Sequence, residues 1–320
     1  MFGDETQRRA LLVPCARVDN VSVAPGAFVV GPPGPTALLG LMHRISLDLT
    51  AAAVFGDDDG LIGVTLICHE FGIAPGHRRI PPERRGEHGD KSGAMIDDPE
   101  GYLTCSLVFE AMTSTPDVLE AARTFLSRRL LSYRLAGGRI IRAGFATSNG
   151  GPDHGATLRP VEAAWDHNQF RSMLRALPPG SVLADRTDRM APTDPDDRRD
   201  ALDRLLDVLA WRQQPPKERS GKEEDDALER KKVWVRSQPG WFVPVQIGWR
   251  PISSVADRAG MRSAAGVIGH VWAEDVVGIG EWVSTRMAFL TKEPAPVFWA
   301  YEIGSSAGPY LTRGRRIGQD

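Results

Sequence analysis

Residues 102–145, YLTCSLVFEAMTSTPDVLEAARTFLSRRLLSYRLAGGRIIRAGF, carry the clearest local structure in the chain. Tyr102–Phe109 reads as a strand, with Leu103, Cys105, Leu107 and Phe109 alternating toward one face. Thr115-Pro116-Asp117 then starts a helix: a hydroxyl cap, followed by a proline whose missing N–H costs nothing in the first turn. Val118, Ala122, Phe125, Leu126 and Leu130 form the apolar stripe, and Arg123, Arg128 and Arg129 lie opposite. Leu135-Ala136-Gly137-Gly138 reads as the glycine end of that helix, and Arg139–Phe145 as a further strand.

Toward the N-terminus the same grammar repeats. Leu11–Val18 reads as a strand and Asp19 to Gly34 as a loop punctuated by Pro25, Gly26, Gly31, Pro32, Pro33 and Gly34. Pro35-Thr36 opens a helix whose Leu38, Leu39, Met42 and Ile45 recur at helical spacing, and Leu61–Phe71 is a second strand. The order strand, helix, strand, strand, helix, strand predicts an α+β chain with a ferredoxin-like split β-α-β-β-α-β domain over residues 11–145. Two connections, 19–34 and 72–101, are longer than packing requires, which marks them as candidates for function.

The C-terminal half is less regular. Arg159 to Leu177 is partly helical, and Asp194-Pro195-Asp196 starts a helix with Ala201, Leu202, Leu205, Leu206 and Leu209 on its buried side. Gln213 to Lys232 is almost all charge of mixed sign and reads as a solvated loop. Val233–Arg236 and Trp241–Trp249 are strands around the turn Gln238-Pro239-Gly240, and Val267 to Ser284 ends in a short helix. The division expected is residues 1–150, the ferredoxin-like domain with its insertion at 72–101, and residues 151–320, a mixed α/β region with the charged loop 213–232.

Composition narrows the function. At 42% hydrophobic residues the chain can build a sizeable core. A formal net charge of −2 excludes a globally basic nucleic-acid binder, so any phosphate surface must be local. Cys15, Cys68 and Cys105 are far apart in sequence, lie in apolar runs and read as buried thiols, as suits a reducing cytoplasm. Met1 to Arg9 is polar without a signal-peptide apolar region, and no apolar run approaches membrane-spanning length. No Walker loop, nucleophile elbow or paired-histidine metal motif occurs, and Gly278-Ile279-Gly280 lacks the rest of a dinucleotide loop.

Three segments could carry chemistry, and each has a bland alternative. The loop His77–Lys91 holds Arg78, Arg79, Arg84 and Arg85, which suit phosphate through forked hydrogen bonds; the alternative is a solubilising surface loop. Arg134 and Arg139 flank Gly137 and Gly138, where a ligand backbone could approach closely; the alternative is a simple helix cap. The proline–glycine loop delivers Thr36 to a helix N-terminus that could face an anion, or could be an ordinary start. His43 and His69 read as packing or ligand-edge residues rather than an acid–base pair. The tryptophans at 234, 241, 249, 272, 282 and 299 read as core, with one or two left to stack on bases.

Taken in order, these pieces resemble a known family. LLVPCARVDN at Leu11–Asn20, GPPGPTALLGLMH at Gly31–His43, LIGVTLICHEF at Leu61–Phe71, RLAGGRI at Arg134–Ile140, PGWFVPVQIGW at Pro239–Trp249 and GIGEWVS at Gly278–Ser284 resemble segments of the Csy-two family, the small RAMP-type subunit of the type I-F CRISPR surveillance complex. The resemblance implies a non-catalytic subunit that binds the 5′ handle of the CRISPR RNA, pairs with the large subunit and caps the filament of backbone subunits. The insertion would serve as a thumb, and target double-stranded DNA would be met through the assembled complex. It implies no cofactor and no membrane. Residues and resemblance together nominate Arg17, Pro33, Thr36, His43, His69, Arg78, Arg79, Arg84, Arg85, Arg134, Gly137, Gly138, Arg139 and Trp241 as RNA contacts. Two alternatives stand beside this. One is a metal-independent endoribonuclease that processes repeat RNA, with His43 or His69 acting with Tyr133 or Arg134. The other is a protein–protein adaptor without RNA.

Overall fold

The computed structural model describes residues 9–26, 29–74, 78–79, 95–96, 99–113, 115–144, 161–192, 194, 196–214, 233–256, 269–302 and 310–316. The architecture is α+β: one large antiparallel sheet with few helices. Its N-terminal part consists of β1 (Ala10–Ser22), α1 (Pro35–Ala51), β2 (Gly60–Ile73), the two-residue strands β3 (Arg78–Arg79) and β4 (Met95–Ile96), and β5 (Glu100–Met112). These are followed by α2 (Pro116–Arg129), β6 (Arg134–Leu135) and β7 (Gly138–Arg142). The strands lie in the order β7-β1-β5-β2, each antiparallel to its neighbour.

Local chemistry explains these elements. The Thr115 side chain accepts from the Val118 N–H, Asp117 sits in the first turn of α2 and Arg128 and Arg129 in the last, so both ends of the helix dipole are complemented. Leu119, Ala122 and Leu126 are its buried residues. In α1, Leu38, Leu39, Leu41, Met42, Ile45 and Leu49 are buried in the same cluster as Leu11, Val13, Leu107 and Phe109. Their strand neighbours Leu12 and Val108 belong to a second cluster, with Phe170 and Leu174 of a later helix. Both faces of the central strands are therefore covered, which is why β1 begins with five consecutive buried residues and not a strict alternation.

The glycine segment differs from its sequence reading. A short 3-10 turn at Leu130–Ser132 closes α2, and the glycines then form the tip of a hairpin, not a helix cap. Leu135 pairs with Gly138 and Arg134 with Arg139, leaving the two-residue turn Ala136-Gly137 with φ of +46° and +79°. Two positive φ values are what a tight turn between twisted antiparallel strands demands.

The remaining elements are β8 (Glu162–Ala164), α3 (His167–Ala176), β9 (Ser181–Asp185), α4 (Ala201–Leu209), β10 (Trp211–Gln214), β11 (Val233–Arg236), β12 (Phe242–Pro251), β13 (Ala273–Ser284), α5 (Thr285–Phe289), β14 (Phe298–Glu302) and β15 (Tyr310–Arg315). The sheet runs on from β2 through β9, β13, β12 and β15 to β14, and β14 then pairs back onto β2 at Trp299 and Val64. Six antiparallel strands thus close into a ring that shares β2 with the N-terminal sheet. Trp299 is buried with Val245 and Ile247, and its indole N–H donates to the Leu183 carbonyl at 3.1 Å.

Several C-terminal expectations are corrected. The helix near 194 begins at Ala201, capped by Asp200, because that carboxylate accepts from the Asp203 N–H. Val208 is its buried residue and Leu205 and Leu209 are partly buried, whereas Ala201, Leu202 and Leu206 are exposed. Strand β11 pairs with β10, not with β12 across the Gln238-Pro239-Gly240 turn. The short helix after β13 starts at Thr285, just past the expected end, and Gly278-Ile279-Gly280 lies inside β13. Trp299 is core, but Trp234, Trp241, Trp249 and Trp272 are exposed, contrary to the reading of the tryptophans as core. Within the insertion, β3 pairs with β4; Arg84, Arg85 and residues 215–232 of the charged loop lie outside the described residues.

Among the described residues, no helix is long and apolar enough to cross a membrane.

Candidate nucleic-acid interface

Two concave places include nominated residues: His69 and Trp241 line one, and Arg134 lines the other. The first is a cleft of about 460 Å³. Its walls are the proline–glycine loop (Pro25, Val29–Pro32, Gly34), the end of β2 (Cys68–Phe71), Ser181 and Leu183 of β9, Val243–Gln246 of β12, and Trp241 and Trp282. The second is a groove of about 490 Å³ between α1 and the glycine hairpin, lined by Ala37, Gly40, Leu41, Arg44, Asp48, Arg129, Ser132, Tyr133, Arg134 and Ala136.

Close backbone contacts hold the loop wall of the cleft. The Gly31 N–H donates to the Val23 carbonyl at 2.8 Å, and Val29 bonds back to Gly26. A side chain at Gly34 would stand 3.3 Å from the Pro25 ring, so the loop packs tightly on itself. Pro33 is buried behind it. Gly34 caps α1 without a side-chain bond, and Thr36, half-buried, follows Pro35 in the first turn.

His69 joins the cleft to the strands beneath. Its Nδ1–H donates to the Pro179 carbonyl at 3.0 Å, which fixes the tautomer, and Nε2 accepts from the Ser106 hydroxyl at 2.8 Å. The Ser106 oxygen in turn accepts from the Cys15 N–H at 3.0 Å. Burial lowers the His69 pKa, against a smaller raising effect of the Pro179 bond, and keeps the ring neutral. Gly180 beside it has no room for a side chain: a Cβ would lie 2.6 Å from Ile67 and 2.9 Å from the imidazole.

The three cysteines, distant in sequence, come together here, Cys68 in the wall and Cys105 buried. Cys68 faces Cys105 across β2 and β5, and Cys105 is also adjacent to Cys15. Burial pushes Cys68 up to about 11, and raises Cys105 further and Cys15 as well, so all three are neutral thiols. Cys105 is fully buried; Cys15 and Cys68 are only partly so. Among the described residues no group of three or more His, Cys, Asp or Glu is placed to hold a metal ion.

One carboxylate lines the cleft, and its charge is balanced. Glu70 accepts from Thr104 and stands 3.8 Å from Arg17. Arg17 also pairs with Asp19 at 3.1 Å and lies over the Tyr102 ring at 4.7 Å, so it is held against the sheet at the cleft margin. Trp241 projects from the wall, 60% exposed, with its ring 6.5 Å from that of Trp282. Sequence reasoning nominated Trp241 and missed Trp282, Glu70 and Gln246. The two residues are neighbours through a backbone bond, in which the Trp282 main-chain N–H donates to the Trp241 main-chain carbonyl at 3.0 Å, and no spacing along the chain reveals that.

The groove is cationic. Arg44, paired with Asp48 at 3.0 Å, Arg129 and Arg134 line it, and Arg139 is exposed on β7. The Arg134 guanidinium donates to the Gly137 carbonyl at 3.0 Å, which leaves further donors free of that bond. Gly137 is exposed and Gly138 buried. Tyr133 is buried, donates to Asp48 at 3.0 Å, and is pushed up to about 12, chiefly by burial. His43 is exposed on α1 and lines neither place. Arg78 and Arg79 are described only as β3 backbone.

The surface thus carries a mostly apolar cleft with two tryptophans in its wall and a separate groove lined by arginines. The model of the family described as CRISPR-associated protein (Cas_Csy2) matches residues 11–312, and this chain belongs to that family. A similar curated protein is the CRISPR-associated protein Csy2 of Pseudomonas aeruginosa (strain UCBPP-PA14), 26% identical over 94% of this chain and 93% of that protein.

Proposed function

We propose that this chain is a non-catalytic subunit of a type I-F CRISPR interference complex that holds the repeat-derived 5′ handle of the CRISPR RNA. Family membership over residues 11–312 carries the reading. The cleft gives it a physical basis. Its walls are mostly apolar, its single carboxylate is balanced by Arg17, and Trp241 offers an exposed ring face, all of which suit a splayed base. Arg129, Arg134 and Arg139 suit the phosphates that follow.

The order β7-β1-β5-β2, with α1 and α2 sharing one core with those strands, supports a ferredoxin-like, RAMP-type unit in residues 1–150, with 151–320 joined to it through β8 on β1 and through β9 and β14 on β2. In this reading the insertion at 72–101 reaches toward the backbone subunits and the large subunit binds alongside the handle. Target double-stranded DNA is met through the whole assembly, in the cytoplasm, without a cofactor of the chain's own.

Catalysis by this chain is not part of the reading. His69 has both ring nitrogens bonded, Tyr133 keeps its proton on the way to Asp48, and the two line different places, so neither can serve the other as acid and base. The test is co-expression with the guide RNA and the large subunit. The chain copurifies with both if the reading is right; a chain that stays monomeric and RNA-free contradicts it. Incubation of the purified chain with repeat RNA leaves the RNA intact, and metal-independent cleavage lost in His69→Ala would instead establish a nuclease.

A further inference from the structure

The two-stranded ribbon of β10 and β11 carries two exposed indoles on one face. Register places Trp211 opposite Arg236 and Gln213 opposite Trp234. Directly paired residues project to the same side of an antiparallel ribbon, so these four side chains share a face. Trp211 is 56% and Trp234 57% exposed, and the Arg236 guanidinium lies 4.8 Å above the Trp211 ring. Among the described residues of the ribbon none is a carboxylate. Asp207, the acidic neighbour, is bound by Arg212, whose side chain projects from the opposite face.

The ribbon is joined to the cleft. Arg236 donates to the Gly240 carbonyl at 3.0 Å and the Phe242 carbonyl at 3.3 Å, bracketing Trp241. Exposed indoles therefore run from Trp241 at the cleft to Trp211 and Trp234, with a stacked guanidinium between the wall and the ribbon.

We infer that this face is a stacking track for single-stranded RNA, continuing the strand that the cleft anchors. Aromatic faces accept any base, and a guanidinium adds attraction to both ring and phosphate. The inference rests on the proposed RNA-binding function and deepens it, since it concerns nucleotides beyond those in the cleft.

The test uses the full chain and two fluorescently labelled oligoribonucleotides: the 5′ handle alone, and the handle extended by several nucleotides. Wild type binds the extended strand about tenfold more tightly than the handle. The double variant Trp211→Ala, Trp234→Ala loses that gain but binds the handle alone as wild type does, and Trp211→Phe, Trp234→Phe restores most of the gain. Equal preference for the extension in the alanine double variant and in wild type overturns the track while leaving handle binding intact. Wild type that binds neither strand overturns both. A gain seen only with DNA of the same sequence, or unchanged RNA affinity together with lost copurification of other subunits, overturns the RNA assignment in favour of those partners.

Discussion

Glu110 and Arg315 form an ion pair at 2.7 Å between β5 and β15, with side chains only 6% and 18% exposed. It fastens the last described strand to the strand at the heart of the N-terminal sheet. Arg315 also donates to the Ile62 carbonyl at 2.9 Å, and Gly63 leaves room for the pair: a side chain there would meet Arg315 at 3.0 Å and Glu110 at 3.3 Å.

Removing one partner strands the other charge in a poorly hydrated place. Glu110→Gln is expected to cost on the order of 3 kcal/mol, and Arg315→Met a similar amount. Gly63→Ala destabilises by a smaller step through the same pair. Urea unfolding monitored by tryptophan fluorescence measures all three, and a Glu110→Gln protein with unchanged midpoint removes the clasp from the account.

The glycine hairpin makes an opposing set of predictions. At Gly138 a Cβ would lie 2.8 Å from the Val21 Cα and 2.9 Å from the Asp19 carbonyl oxygen, both backbone atoms that cannot swing aside. Gly138→Ala is therefore the most damaging change in the turn. Gly137→Ala meets no atom within 4 Å and loses only the φ preference, about 1 kcal/mol. Ala136→Gly, at φ +46°, relieves strain in the folded turn but frees the unfolded chain, so its net effect is small. Thermal melts of the three variants should rank in that order.

His69 gives stability a pH dependence of defined sign. Its pKa is lower folded than unfolded, because burial disfavours the charged ring. The unfolded chain therefore binds more protons as pH drops through the ordinary imidazole range near 6.5, and the contribution is full above that range and lost below it. The melting temperature falls as the pH drops below about 6.5, and His69→Gln flattens that slope. A slope unchanged in His69→Gln assigns the effect to other groups.

The three thiols are expected to be inert in the native protein. Cys68, raised to about 11 by burial, and the still more raised Cys105 carry almost no thiolate at pH 8. Labelling with a thiol-reactive disulfide proceeds slowly until denaturant is added, after which three equivalents react. A fast-reacting equivalent in native buffer contradicts the raised values.

Much of the N-terminal fold was legible in the sequence because its signals are local. The alternation of Leu103, Cys105, Leu107 and Phe109 and the Thr115-Pro116-Asp117 cap each act within a few residues. The glycine segment was misread because a glycine after a helix suits both a cap and a hairpin; only the pairing of Leu135 with Gly138 decides between them. The exposure of Trp234, Trp241, Trp249 and Trp272 was hidden because hydrophobicity says how a side chain would rather be placed, not whether the fold has a partner for it. The cleft was only partly legible. The proline–glycine loop, His69 and Trp241 were nominated from separate segments, but Trp282, Glu70 and Gln246 join them through strand registers set hundreds of ångströms of contour away, which no local pattern encodes.

Trp241 is the most exposed aromatic of the cleft, so Trp241→Ala should weaken handle RNA binding about tenfold without loss of stability. An equilibrium titration of labelled handle RNA reads this directly, and an unchanged affinity shifts the anchor elsewhere.

The central claim is met most directly by crosslinking the assembled complex with guide RNA carrying photoreactive nucleotides through the 5′ handle, followed by mass spectrometry at residue level. The account predicts adducts on the cleft wall, at Trp241 and the loop from Pro25 to Gly34, and on the arginines around the glycine hairpin. Handle nucleotides that crosslink only to other subunits, with none on this chain, would contradict it.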